Sequence, residues 1–139
     1  MNDAPKTNDD LDFVRSHVED YPAYDNERER HDSDLRIRAF VGERLTAARE
    51  RLGAKLDEAT TETLDDVLMR CMFSDQVFVR KFEHARLDAT MTAALVRSDR
   101  SLIEFGKAAA TATAAEFHDL LVEIDKQFEY RRAPEPLAG

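Results

Sequence analysis

The sequence predicts an all-α protein, and three observations carry that prediction. Gly and Pro number only four each in 139 residues, few for a fold built from strands and tight turns. Ala, Leu, Arg and Glu, which favour helices, are plentiful. Apolar residues recur at spacings of three and four along most of the chain, the period of a helix with one buried face. The expected architecture is a small bundle of about four main helices with a long C-terminal helix, preceded by an acidic N-terminal arm carrying one short helix. The length suits one domain with a real core. Its expected divisions are an arm over 1–33, a helical bundle over 34–131 and a flexible Pro-containing tail over 132–139.

Residues 1–9 are polar and are expected to be disordered. Leu11, Val14, Val18 and Tyr21 then follow helical spacing, so a short helix is expected from Asp10 to Tyr21, stopped by Pro22, which disfavours helical geometry at the preceding residue. The stretch "YPAYDNERERHDSD" supplies turn formers and dense charge. Asp32, Ser33 or Asp34 is the expected N-cap of the next helix, whose stripe is Ile37, Val41, Leu45, Ala48 and Leu52, with Gly53 as its stop. Thr60 or Thr61 is the expected cap of a third helix bearing Leu64, Val67, Leu68, Cys71 and Met72 on one face. From Gln76 to Arg97 two adjacent stripes, one through Phe78, Phe82, Ala89 and Val96 and one through Val77, Leu87, Met91 and Leu95, mark a helix touching more than one neighbour.

"VRSDRSLIE" interrupts that pattern, and Ser101 with Glu104 matches a capping box. Beyond it, Ile103, Gly106, Ala110, Ala114, Phe117, Leu121, Ile124 and Phe128 keep helical spacing through "EFGKAAATATAAEF". That register predicts one helix of about 28 residues, about 42 Å long, with a waist of small residues and an end at Pro134 and Pro136. Gly106, Ala110, Ala114 and Phe117 are the expected close-packing surface, where another helix can approach the backbone.

The net charge is -9 and it is unevenly placed. Residues 1–34 hold eleven acidic against four basic residues, a net of -7. Such a balance repels phosphate backbones, so direct nucleic-acid binding is disfavoured. The cluster Arg97, Arg100 and Lys107 beside a short break is the best helix-turn-helix candidate, and Asp99 and Glu104 dilute it. No apolar run is long enough for a membrane span. A single cysteine and an N-terminus without a secretory signal lead to the expectation of a cytoplasmic location.

The chemistry-bearing residues are sparse. His17, His31, His84 and His118 stand in separate elements without ligand spacing; His84 with Asp88 is a common i, i+4 coincidence. Cys71 sits among apolar residues, where a thiol acts as a small hydrophobe. Phosphate loops, nucleophile elbows and zinc spacings are absent from the sequence. No catalytic residue, metal or cofactor is expected. The leading expectation is therefore a non-enzymatic helical interaction module with a protein partner, self-associating as a homodimer through close helix packing; the small-residue waist takes either the central helix of the same chain, through Phe78, Phe82 and Met91, or the same helix of a second subunit, and the sequence does not choose between them. The alternative is an acidic inhibitor or regulator that imitates nucleic acid in the basic groove of a nucleic-acid-handling protein, with Asp20, Asp25, Glu27 and Glu29 of the arm as its contact surface.

Overall fold

Asn26 starts the longest helix among the described residues, because its side-chain Oδ1 accepts the Glu29 N–H at 2.9 Å and satisfies one of the donors a helix start leaves open. The computed structural model describes residues 4–72 and 89–132, and these residues are helical throughout apart from short connections. Helix α1 spans Ala4–His17, α2 Glu27–Leu52, α3 Glu58–Met72, α4 Ala89–Ala109 and α5 Ala114–Arg132, with a single 3-10 turn at Gly53–Lys55. Among the described residues no helix is long and apolar enough to cross a membrane.

Both caps expected nearest the first half of the chain lie elsewhere. The helix expected from Asp32–Asp34 begins at Glu27, and Ser33 and Asp34 are buried within it. Asp57 caps α3 by accepting the Thr60 N–H at 2.7 Å, three residues before the expected position. Gly53 does end α2: it adopts φ 45 and its N–H returns to the Arg49 carbonyl. The first helix also starts earlier than expected and stops at His17, so Tyr21 lies beyond it, in a connection where Asp20 and Ala23 both take positive φ.

The largest correction concerns "EFGKAAATATAAEF". It is two helices and a turn. The backbone leaves α4 at Ala109 and enters α5 at Ala114. Two groups outweigh the helix propensity of the alanines. Thr113 and Glu116 form a capping box, with Thr113 N–H on Glu116 Oε1 at 2.9 Å and Glu116 N–H on Thr113 Oγ1 at 3.2 Å. Arg51 of α2 donates to the carbonyls of Ala109 and Ala112 at 2.9 and 2.8 Å, satisfying one acceptor at the end of α4 and one in the turn. Conversely, α4 runs straight through the expected break at "VRSDRSLIE". Ser98 and Asp99 point into the protein, where Ser98 Oγ donates to Gln127 Oε1 of α5 at 2.8 Å.

Helices α2, α3, α5 and α4 touch in that order around a closed ring, since α2 also meets α4, and α1 lies along α4. The stripe Ile37, Val41, Leu45, Ala48 and Leu52 is buried, as is Phe117, Leu121, Ile124 and Phe128. Val14, Val18, Tyr21 and Tyr24 join the same core, so part of the acidic N-terminal stretch is packed into it. The stripes expected over Gln76–Asp88, the His84–Asp88 pair and the tail over 133–139 lie outside the described residues.

Candidate functional site

Four polar side chains lie where an apolar stripe would continue: Asp34 three residues before Ile37, Asp99 between Leu95 and Leu102, Arg131 three after Phe128, and Arg38 beside Ile37. All four are buried. Arg131 Nη2 donates to Asp34 Oδ1 at 2.9 Å and to the Tyr24 hydroxyl at 3.0 Å. Its Nη1 donates to Asp99 Oδ1. The hydroxyls of Tyr21 and Tyr24 both donate to Asp99 Oδ2. Arg38 Nε closes the group on Asp34 Oδ2 at 2.8 Å, while its Nη1 donates to the Arg70 carbonyl of α3.

Two carboxylates and two guanidiniums thus balance in formal charge, away from solvent. Burial raises the pKa of both tyrosines well above the ordinary value, and Arg131 nearby only partly opposes this. For Arg131 burial alone acts downward, but Tyr24, Asp34 and Tyr21 outweigh it and hold the guanidinium charged. The cluster ties the α1–α2 connection, α2, α4 and α5 together. Buried and paired in this way, the charges act as a clamp between the elements. The polar residues occupying stripe positions were the signal for it in the sequence.

The described surface opens instead between α2 and α3. A groove of about 840 Å³ has Ala39, Gly42, Thr46 and Ala47 along one wall, and Leu68, Met69, Cys71 and Met72 along the other. Gly42 sets the depth: a Cβ there would lie 3.3 Å from Cys71 Cβ, so the two helices meet closely at the floor. Met69 is 59% and Met72 73% exposed. Met72 was expected on the buried face of its helix with Cys71; it projects to the rim. Glu43, Glu50 and Asp65 also line the groove, together with Arg49, which is 3.5 Å from Asp65. Cys71 is buried and burial pushes its thiol up to about 12, so it has no thiolate character near neutrality.

The residues singled out from the sequence do not converge on one place. Gly106 is buried against Phe40 of α2 within the same chain, a Cβ there standing 3.4 Å from Phe40 Cε1. Phe117 is buried in the core, Ala114 is half-buried at the start of α5, and Ala110 is exposed in the turn. The stripe is therefore broken by the turn, and Gly106 packs against Phe40 within the chain. Asp20 and Asp25 are exposed on either side of Pro22, Glu27 opens α2, and Glu29 is half-buried in the first turn. Of the basic trio, Arg97 and Arg100 reach Asp10 of α1 at 3.5 and 3.2 Å, and Lys107 Nζ is 3.0 Å from His17 Nε2. Those cations are engaged by α1. His118 Nδ1 is 3.1 Å from Thr60 Oγ1 and His31 is exposed. Among the described residues no three His, Cys, Asp or Glu side chains gather where they would hold a metal ion.

Comparison of the chain with known protein families, with curated proteins and with solved structures finds no match.

Proposed function

We propose that this chain is a non-enzymatic helical module that binds another protein, and that the groove between α2 and α3 is its docking surface. The observation that carries this reading is the pair Met69 and Met72, large apolar side chains held in water at the edge of an open groove. Unbranched, polarizable thioethers adapt to the shape of an incoming surface, which suits them to binding faces. The buried Asp34–Arg131–Asp99 cluster supports the same reading from the other side, since it makes the bundle a fixed platform. At Gly106 the waist packs against Phe40 of the same chain, so the α2–α3 groove is preferred to the waist as the docking surface.

The reading as an acidic nucleic-acid mimic has less behind it. Tyr21 and Tyr24, in the middle of the acidic stretch, are core residues, so that stretch is not a separate arm free to enter a groove.

The test is capture of host proteins by the wild-type chain beside the double variant Met69→Glu/Met72→Glu. Both positions are exposed, so the variant keeps its fold, which circular dichroism and urea unfolding check. The expected result is a protein retained by the wild type and lost by the variant. An identical set on both would end the docking assignment.

A further inference from the structure

We infer that the occupant of the α2–α3 groove is an amphipathic helix whose apolar stripe is flanked on both sides by basic residues; this rests on the docking reading above and specifies its partner. Three observations lead there.

Shape comes first. Two helices lying side by side present a valley that a third helix fills with side chains at i, i+3, i+4 and i+7. Here the wall on α2 includes Ala39, Gly42, Thr46 and Ala47, small residues that leave room for a helix backbone to come near. The second is the character of the lining. A small-molecule site carries a few polar groups converging on its interior, whereas this groove is long and open, with Leu68, Met69 and Met72 on α3 facing an α2 wall that mixes small residues with Glu43 and Glu50.

Charge is the third. Glu43 and Glu50 lie on the α2 bank, seven residues and so about 10.5 Å apart along the helix, and Asp65 lies on the α3 bank. The side chains of Glu43 and Asp65 are 75% and 60% exposed. Their counterions are weakly held: Arg44 is 3.9 Å from Glu43 and Arg49 3.5 Å from Asp65, both across solvent-exposed pairs. Arg38, which also lines the groove, is buried and bonded to Asp34, so it does not offset the banks. Each bank therefore offers carboxylate to a passing cation, and a helix with Lys or Arg on either side of its apolar stripe meets both.

The experiment uses the full chain and three fluorescein-labelled synthetic peptides of about 18 residues, long enough to form a helix on binding. One has Leu at i, i+3, i+4 and i+7 with Lys on both flanks. The second keeps the Leu stripe and has Glu on the flanks. The third has the composition of the first in scrambled order, which controls for plain attraction to a chain of net charge -9. Anisotropy titrations are run with the wild type, with Glu43→Lys/Glu50→Lys and with Met69→Glu/Met72→Glu.

The expected result is that the Lys-flanked peptide binds about tenfold tighter than the Glu-flanked one, the worth of about three exposed ion pairs. The advantage shrinks as salt is raised, the scrambled peptide binds far more weakly, and the Glu43→Lys/Glu50→Lys variant loses the advantage. Equal binding of the two striped peptides, with both lost on methionine substitution, would overturn the basic-partner inference and leave the docking surface standing. Binding that ignores the methionine substitutions, or equal binding of the scrambled peptide, would overturn both. A dimer in sedimentation equilibrium that Met69→Glu/Met72→Glu turns into a monomer would make a second copy the occupant and overturn the foreign helix.

Discussion

Arg131 Nη2 donates to Asp34 Oδ1 over 2.9 Å, although 97 positions separate the two residues and both side chains are fully buried. Removing one member of such a cluster leaves its partners charged and unmatched in a low-dielectric interior, which costs far more than the intact cluster contributes. Arg131→Met is expected to lower unfolding free energy by about 3–5 kcal/mol, a large share of the total for a domain of this size. Urea unfolding at neutral pH measures it; a loss under about 1 kcal/mol would show that the carboxylates find water or other donors.

Tyr21 supplies the same cluster from the neutral side, through its hydroxyl on Asp99. Tyr21→Phe removes a donor to a buried carboxylate and is expected to cost about 2 kcal/mol near neutrality. The effect has a pH window. Below about pH 10 the unfolded chain also keeps the phenol proton, so the contribution is complete there. Above it the unfolded state releases a proton that the native state, with its raised tyrosine pKa, retains. Stability then falls with rising pH. The gap between wild type and variant is expected to narrow from pH 10 upward in urea midpoints, and a constant gap to pH 11 would contradict the buried-phenol assignment.

Gly106 sits inside α4, where Gly costs about 1 kcal/mol relative to Ala. The added methyl would stand 3.4 Å from Phe40 Cε1 and 3.6 Å from Arg44 Cγ, ordinary contact distances. Gly106→Ala is expected to raise stability by about 0.5–1 kcal/mol, and Gly106→Leu to lower it by about 1–3 kcal/mol by overpacking. Thermal melts of the two variants check the pair of signs. Destabilisation by Ala would show that Phe40 has no room to yield.

Cys71 is buried and its thiol is pushed up to about 12, chiefly by desolvation. Alkylation by iodoacetamide at pH 8 is expected to be slow in the native protein and to accelerate many-fold in urea, followed by intact mass. Equal rates in the two states would mean that the groove floor opens readily at α3.

How much of this was legible beforehand depended on what each residue answers to. The α2 stripe from Ile37 to Leu52 and the α5 stripe from Phe117 to Phe128 were readable because burial of one helix face leaves a period in the sequence. The turn at 110–113 leaves no break in the apolar period. Its alanines are strong helix formers, and the contest was settled by Thr113 and Glu116, a legible capping box that the apolar register overshadowed, and by Arg51, a contact 58 residues from Ala109 that local reading cannot supply. Ser98 and Asp99 were read as a break because polar residues usually face water; they face Gln127 and Arg131 instead. The groove is not encoded in the apolar pattern, because exposure of Met69 and Met72 depends on how α3 is rotated against α2, which the shared apolar face of Leu68, Cys71 and Met72 does not fix.

The position of Arg131 near the end of α5 also bears on how the chain is made. A ribosome delivers Asp34, then Asp99, and the guanidinium that joins them only after α5 has been almost wholly synthesised. Until then Asp99 has Tyr21 and Tyr24 as its partners in this cluster but no cation. The cluster that joins the α1–α2 connection, α2 and α4 is therefore complete only once α5 is in place.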